Sequence, residues 1–544
     1  MDVIPLDILK EIFLLCDFLT KIKFSQICKY SYKNLHIIDF YYIETKYLSK
    51  LTDDILKNYK FIKYLKACDN SRIKDLHWMK NLKKLDASFS SGIDQFGING
   101  LDLIKLDAYN NSKIKNVSWM KNLKKLDASL NSRIDQLGIK ELDLIKLDAP
   151  GNPYIKDIRW MQNLKKLNAS WNSGIDQTGI NGLDLIILYS SDNPKIKDAS
   201  WMKNLKELNA SGISGIDQLG IKGLDLTKLY VSKNPKIKDV SWMTNLKELD
   251  ASFSSGIDQM SINGLDLIKL DVSNNSKIKD VSWMTNLKEL DASGSCGIDQ
   301  LGIKGLNLIK FNASGNSKIH DISWMKNLKE LNASGYCGID QLGIKGLDLI
   351  KLYVRDNTKI KDVSWMKNLK ELDASWGSGI DQLGIKGLDL IKLYAWDNPK
   401  IKDASWMLNL KELDASWNSG IDQLGIKGLD LIKLNANQNQ KIKDVSWTKN
   451  LKELNVAANS GIDQSGINGL DLIKLNANNN PLIKDVSWMK NLKELYVCGS
   501  SGINQLGIKG LDLIKLEAGN NPTIKDVSWM KNLHSLNLIK KKLM

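Results

Sequence analysis

The sequence predicts an α/β solenoid, a long stack of short coils with parallel strands along one face, preceded by a small all-α head. Three observations carry that expectation. Tryptophans recur every 41 residues from Trp78 to Trp529 without an insertion, twelve in all. Each 41-residue unit divides into two versions of one phrase, L-x-x-L-x-A-x-x-N/S-x-x-I, with lengths of 20 and 21. Roughly the first sixty residues follow neither rule. A fixed internal period overrides a domain count made from length, and a coil this short buries its apolar face only by stacking on its neighbours.

Taken in chain order, the head comes first. Pro5 suits the first turn of a helix, where a missing N–H loses no partner. Ile8, Leu9, Ile12 and Phe13 line one helical face, with Lys10 and Glu11 on the other. A second helix is expected from Thr20 to Lys29 with Ile22, Ile27 and Cys28 inward, followed by a third rich in Tyr and Lys. Leu51 to Tyr59 reads as a helix that caps the first coil, since solenoids need a terminal module with a polar outer face. The expected division is a helical module over 1–45, a linker and capping helix over 46–61, and the solenoid over 62–544.

The head resembles the F-box, whose phrase opens L-P-x-E-I-L-x-x-I-L and continues to V-C-K-x-W-x-x-L. Ile4-Pro5 stands for Leu-Pro, Asp7-Ile8-Leu9 for Glu-Ile-Leu, Ile12-Phe13 for Ile-Leu, and Ile27-Cys28-Lys29 with Leu35 for the later stretch. The family's tryptophan is absent, with Ser31 in its place between Tyr30 and Tyr32. The resemblance covers about residues 3 to 40. It implies docking on the Skp1 adaptor of a cullin ubiquitin ligase through Ile4, Pro5, Ile8, Leu9, Ile12, Phe13, Ile27 and Cys28. Read from the residues alone, residues 1 to 60 are expected simply to cap the first coil; both roles hold together with Leu51 to Tyr59 as the cap and residues 3 to 40 as the docking module.

From residue 62 the copied phrase resembles the leucine-rich repeat, usually L-x-x-L-x-L-x-x-N/C-x-L. IKDVSWMKNLKELDAS, from Ile360 to Ser375, is similar to the short repeat type in which an I-x-D-I-x-P-L-x-x-L tail precedes the next strand. Two departures stand out. The third leucine is mostly Ala or Val, as at Ala87, Ala374 and Val354, and the tail proline is Trp. Tight coils are therefore expected, with the tryptophans covering the convex side. The resemblance implies a horseshoe or arc of about 24 coils with short parallel strands on its concave side. The residue pattern agrees, because Leu390, Leu393 and Ala395 alternate with Lys392, Tyr394 and Trp396, the period-2 mark of a half-buried strand.

Asparagine occupies the ninth position of every first half-repeat, including Asn111, Asn152, Asn193, Asn234 and Asn275. Where a coil turns away from its strand, buried backbone groups need partners, and an amide both donates and accepts. A structural ladder is expected there rather than a site.

Positions three, five and seven of each coil are expected on the concave side, with position eight on its lip. Position three is Lys in first halves such as those of Lys228, Lys269 and Lys310, while in second halves it changes from Lys84, Lys125 and Lys166 to Glu from Glu207 onward. Copies disagree at position eight of the second half, which is Gly212, Gly294 and Gly335 in some and Phe89, Trp171, Phe253, Trp376 and Trp417 in others. Tyr353, Arg355, Trp376, Tyr394, Trp396 and Trp417 fall on four consecutive coils, and Trp, Tyr and Arg dominate interface hot spots. They are the candidates for holding a protein cargo. Drift among near-identical copies, with aromatics packing on one another, is the other reading of the same residues.

Other chemistries find little support. The 77 basic and 62 acidic side chains leave a net charge of +15, but most lysines are consensus positions beside an Asp or Glu, so nucleic acid is not the expected partner. The four histidines have no second ligand at metal spacing, no P-loop or G-x-G-x-x-G follows a strand, and recurring carboxylates suit a surface more than one acid–base pair. No enzyme activity, metal or cofactor is expected. The six cysteines do not keep step with the repeat, and no run of eighteen apolar residues occurs. A cytoplasmic or nuclear protein outside the membrane is the expectation. The Lys-, Ile- and Asn-rich, insertion-free copies look like the repeat proteins of large DNA viruses of protists, in which case the Skp1 partner is the host's.

Overall fold

Each half-repeat contributes one three-residue strand, and from Tyr64–Lys66 to Lys515–Glu517 the leucine at its centre is buried, replaced once by Phe311. Three residues suffice because the chain must turn at both ends of every coil, and pairing to the next coil supplies the hydrogen bonds. The structure is a computed structural model that describes residues 6–26, 35–42, 48, 50–530, 533 and 535–537. The chain divides into two compact units, Met1–Leu246 and Lys247–Met544.

The first unit opens with α1 (Leu6–Leu15) and α2 (Phe18–Gln26). Asp17 starts α2 by accepting the Thr20 N–H at 2.9 Å. Phe13 of α1 is buried and its ring stacks on Phe24 at 6.2 Å. Residues 27–34, which hold the end of the expected second helix and the start of the third, lie outside the described residues. A parallel strand, Asp39–Phe40, then appears inside the segment read as purely helical and pairs with the strand Tyr64–Lys66. Its anchor is Phe40, which is buried against Tyr59. Two residues are too few to show a period of two.

A short helix, α3 (Asp53–Leu56), closes this end of the solenoid, capped by the Thr52 hydroxyl. Asn70 Nδ2 donates to the carbonyls of Leu48 and Leu51, and Asp53 Oδ1 accepts the Lys74 N–H at 2.9 Å. Nine repeat strands follow in this unit, from Tyr64–Lys66 to Lys228–Tyr230.

The second unit holds fifteen strands, from Glu248–Asp250 to Ser535–Asn537, all parallel and paired in sequence order. Register is uniform: Lys392, Leu393 and Tyr394 face Glu412, Leu413 and Asp414. In both units the central leucine of the strand and the Ala or Val two residues on are buried, and so are return-path residues such as Ile360, Val363, Met366 and Leu369 in the second unit. Alanine at position six draws the turn close to the strand, which makes the coils tight.

The asparagine ladder ties the coil of each first half-repeat to the coil before it. Asn193 Nδ2 donates to Ala169 O at 2.7 Å and Ile175 O at 3.0 Å, and its Oδ1 accepts the Lys195 N–H at 3.0 Å. Asn111, Asn152, Asn234 and Asn275 make the same pair of contacts to carbonyls of the preceding coil.

Candidate protein-binding face

On the strand face of the second unit, position three alternates between Lys and Glu across neighbouring strands, and the opposite charges meet. Lys392 Nζ lies 3.0 Å from Glu412, Lys433 3.3 Å from Glu453 and Lys474 3.1 Å from Glu494. Such half-exposed pairs contribute at most about 1 kcal/mol each. They set a charge pattern more than they stabilise. A shallow depression of about 350 Å³ runs along this face from Lys269 to Tyr353 and includes Glu289 and Phe311.

The strands Lys351–Tyr353, Glu371–Asp373 and Lys392–Tyr394 are in-register neighbours, so the residues two or three positions beyond them stack along one lip. There the Trp376 and Trp396 rings lie 6.1 Å apart and 13° from parallel. The Arg355 guanidinium carbon sits 5.4 Å from the Trp376 ring centre and 4.7 Å from that of Trp396. A cation over an aromatic face gains about 0.5–1 kcal/mol at an exposed site. Arg355 and Trp376 are exposed and Trp396 is half-buried.

Tyr353 and Tyr394 stand on the strand face itself, on either side of Asp373. Tyr353 donates its hydroxyl to Glu371 at 2.8 Å. Burial first, then Glu371, raises the pKa of both phenols, which stay protonated hydrogen-bond donors. Burial likewise pushes Asp373 up, while Ser375 and Arg355 pull it back. Trp417 lies on the same lip two coils beyond Trp376, 48% exposed, and among the described residues no ring contact joins it to Trp396. Five of the six sequence candidates therefore gather, and the sixth flanks them.

Position eight proves to be a backbone requirement. Its φ is +67° at Gly212, +65° at Gly294 and +68° at Gly335, which is why glycine recurs there. Trp417 and Trp171 hold the same left-handed region at +59° and +61°. A side chain there costs about 1–2 kcal/mol. The Asp, Asn and Gly at position eight of the first half-repeats, such as Asn110, Gly151 and Asp192, are the sequence signal of that turn.

Two further ladders join the coils: a glutamine ladder that the repeat phrase does not announce, and the tryptophans, expected only to cover the coils. Gln341 Oε1 accepts the N–H groups of Lys361 and Asp362 at 2.8 and 2.9 Å, while its Nε2 donates to Asp362 O at 2.8 Å. Trp365 Nε1 donates to Leu347 O at 3.0 Å, so the periodic tryptophan tethers adjacent coils as well as covering them. Trp78 and Trp447 are exceptions whose indole N–H is buried without a partner.

In the head, Ile12 is 42% exposed, Leu9 is half-buried and Phe13 is inward. Ile4, Pro5, Ile27, Cys28 and the side chain of Ile8 lie outside the described residues. Cys296 and Cys337 are free and buried, and burial pushes each thiol up to about 11. Among the described residues no group of three or more His, Cys, Asp or Glu is placed to hold a metal ion, and no helix is long and apolar enough to cross a membrane.

The coils define the fold: a parallel-strand solenoid of the leucine-rich-repeat type with a strand face open to solvent. No family model matches the chain, and no curated protein matches it. Among solved structures it is similar to TLR13 in its complex with ssRNA13, with 16% identity, 92% of this chain and 84% of that chain covered, and a TM-score of 0.37. Mouse RP105 in its complex with MD-1 shows 14% identity over 88% of this chain and 92% of that one, at a TM-score of 0.40. An internalin, inlF, from Listeria monocytogenes shows 17% identity over 60% of this chain and 84% of that one, at 0.27.

Proposed function

We propose that the chain is a non-catalytic protein-binding adaptor: the strand-face lip of its second unit holds a target protein, and its helical head docks on a Skp1-like adaptor of a cullin ubiquitin ligase. The observation that carries the reading is the exposed Arg355–Trp376–Trp396 stack. Stacked aromatics with an arginine present large, rigid contact area at little entropic loss, the property of interface hot spots. Tyr353 and Tyr394 add hydroxyls on the adjoining face, and the Lys–Glu ladder around them is suited to orienting a partner.

For the head, support comes from the F-box-like phrase and from the split of the described residues. Phe13 holds the two helices together while Ile12 points outward. The test is a calorimetric titration of purified eukaryotic Skp1 into the full chain and into an Ile12→Asp variant. Binding by the first that is lost in the second supports the ligase reading. Failure of the intact chain to bind contradicts it and leaves the head as a cap.

A second reading is favoured by the contacts of Asn70 and Asp53 with residues 48–75, which fasten the segment beyond the head to the first coil. On that reading the solenoid binds its partner without a ligase.

A further inference from the structure

Away from the strand face, the turn that opens each L-G-I segment sets one side chain outward. In the second unit these are Met260, Leu301, Leu342, Leu383, Leu424 and Leu506, each 71–73% exposed. The coil does not need an apolar group there: its turn is held by the backbone, as where Asp340 Oδ1 accepts the Leu342 and Gly343 N–H groups, and Ser465 occupies the same turn in a sibling coil. Met260 changes shape and keeps the chemistry.

Tryptophans alternate with this row in coil order. Leu342 and Trp365 line one shallow cavity of about 650 Å³, with Lys345, Lys361 and Asp362 at its rim. With strands about 4.8 Å apart, members of the row recur about every 10 Å. The stripe exposes on the order of 1,000 Å² of apolar surface, above the few hundred Å² usual for a soluble monomer.

We propose that this stripe is a self-association surface, on which a second copy of the chain seats its own stripe. Three features select that occupant. A rigid row with a period of two coils is matched along its whole length by another solenoid of the same period. The rim carries both signs at every repeat, Lys345, Lys361 and Asp362 in one unit and Lys386, Lys402 and Asp403 in the next. A second copy in register offers lysines to those carboxylates and carboxylates to those lysines. The area also reaches the roughly 800 Å² per partner of a standard stable interface. The surface is independent of the strand-face lip.

The test is sedimentation equilibrium of the full chain at about 50 µM, well above the dissociation constant of a standard-size interface. The expected mass is twice the 61.2 kDa of one chain. A Leu301→Glu/Leu342→Glu/Leu383→Glu variant, with its circular dichroism and melting unchanged because all three side chains are exposed, is expected at the single-chain mass. An Arg355→Ala/Trp396→Ala variant is expected to remain a dimer. A monomeric wild type overturns the proposal, as does a triple variant that still dimerises. So does a monomer that floats with phosphatidylserine vesicles through the same leucines, which would assign the stripe to lipid.

Discussion

Arg355 places its guanidinium over Trp396, 4.7 Å from the ring centre, and over Trp376, 5.4 Å from its centre. This contact joins three coils through side chains that the buried core does not use. Arg355→Ala is therefore expected to leave the urea midpoint within about 0.5 kcal/mol of wild type. The same change is expected to weaken binding of the cargo protein by tenfold or more, as for a hot-spot residue. A fall in stability with unchanged binding would make the stack a structural brace.

Asn357 answers three backbone groups: its Nδ2 reaches Ala333 O at 2.8 Å and Ile339 O at 3.1 Å, and its Oδ1 takes the Lys359 N–H at 2.9 Å. Asn357→Ala leaves all three without their partner in a buried turn. The expected destabilisation is about 3 kcal/mol or more in urea unfolding. A solenoid's stability is a sum of neighbour interfaces, so amide exchange should rise most in the coils that touch residue 357.

Asp127 sets a pH dependence in the first unit. Burial first, with the carboxylates of Asp107 and Asp148 on the flanking strands, pushes it up to about 6 from 3.8, against the pull of the Ser129 hydroxyl. The folded chain then holds this proton more tightly than the unfolded chain does. Its contribution favours folding below about pH 4, fades as pH rises to about 6, and is gone above that. The urea midpoint of the first unit should fall across that window, and Asp127→Asn should flatten the slope and stabilise the protein at pH 7.

Two glycine experiments separate close approach from backbone hand. A Cβ at Gly384 would stand 2.0 Å from the Lys361 carbonyl oxygen, so Gly384→Ala is expected to destabilise by about 1–3 kcal/mol. Trp417→Gly moves the other way, since glycine holds φ near +59° without strain and sibling coils already use it. The gain of about 1–2 kcal/mol offsets the lost packing, and the urea midpoint should move little.

Much of this architecture is legible in the sequence because each coil poses the same backbone problem and solves it with the same side chain. Asn193 is readable for that reason, as are the Leu and Ala of the strands. Arg355 and Trp396 are readable for the opposite reason: they break a period that the core does not require them to break. Gln341 escapes notice because a residue bridging two coils looks, in sequence, like any exposed polar repeat. The strand Asp39–Phe40 is too short to show alternation. The division after Leu246 has no mark at all, since TNLKEL at 244–249 recurs letter for letter at 285–290.

The lip around Trp396 is proposed to hold a protein. The most direct measurement places a photoreactive benzophenone amino acid at position 396 of the full chain, with a second chain labelled at the structural Trp324 as control, and cross-links both in a eukaryotic host cell. One dominant protein conjugate is expected from position 396, and it should disappear when Arg355→Ala is added. No conjugate from position 396, or the same conjugate from both positions, would contradict it.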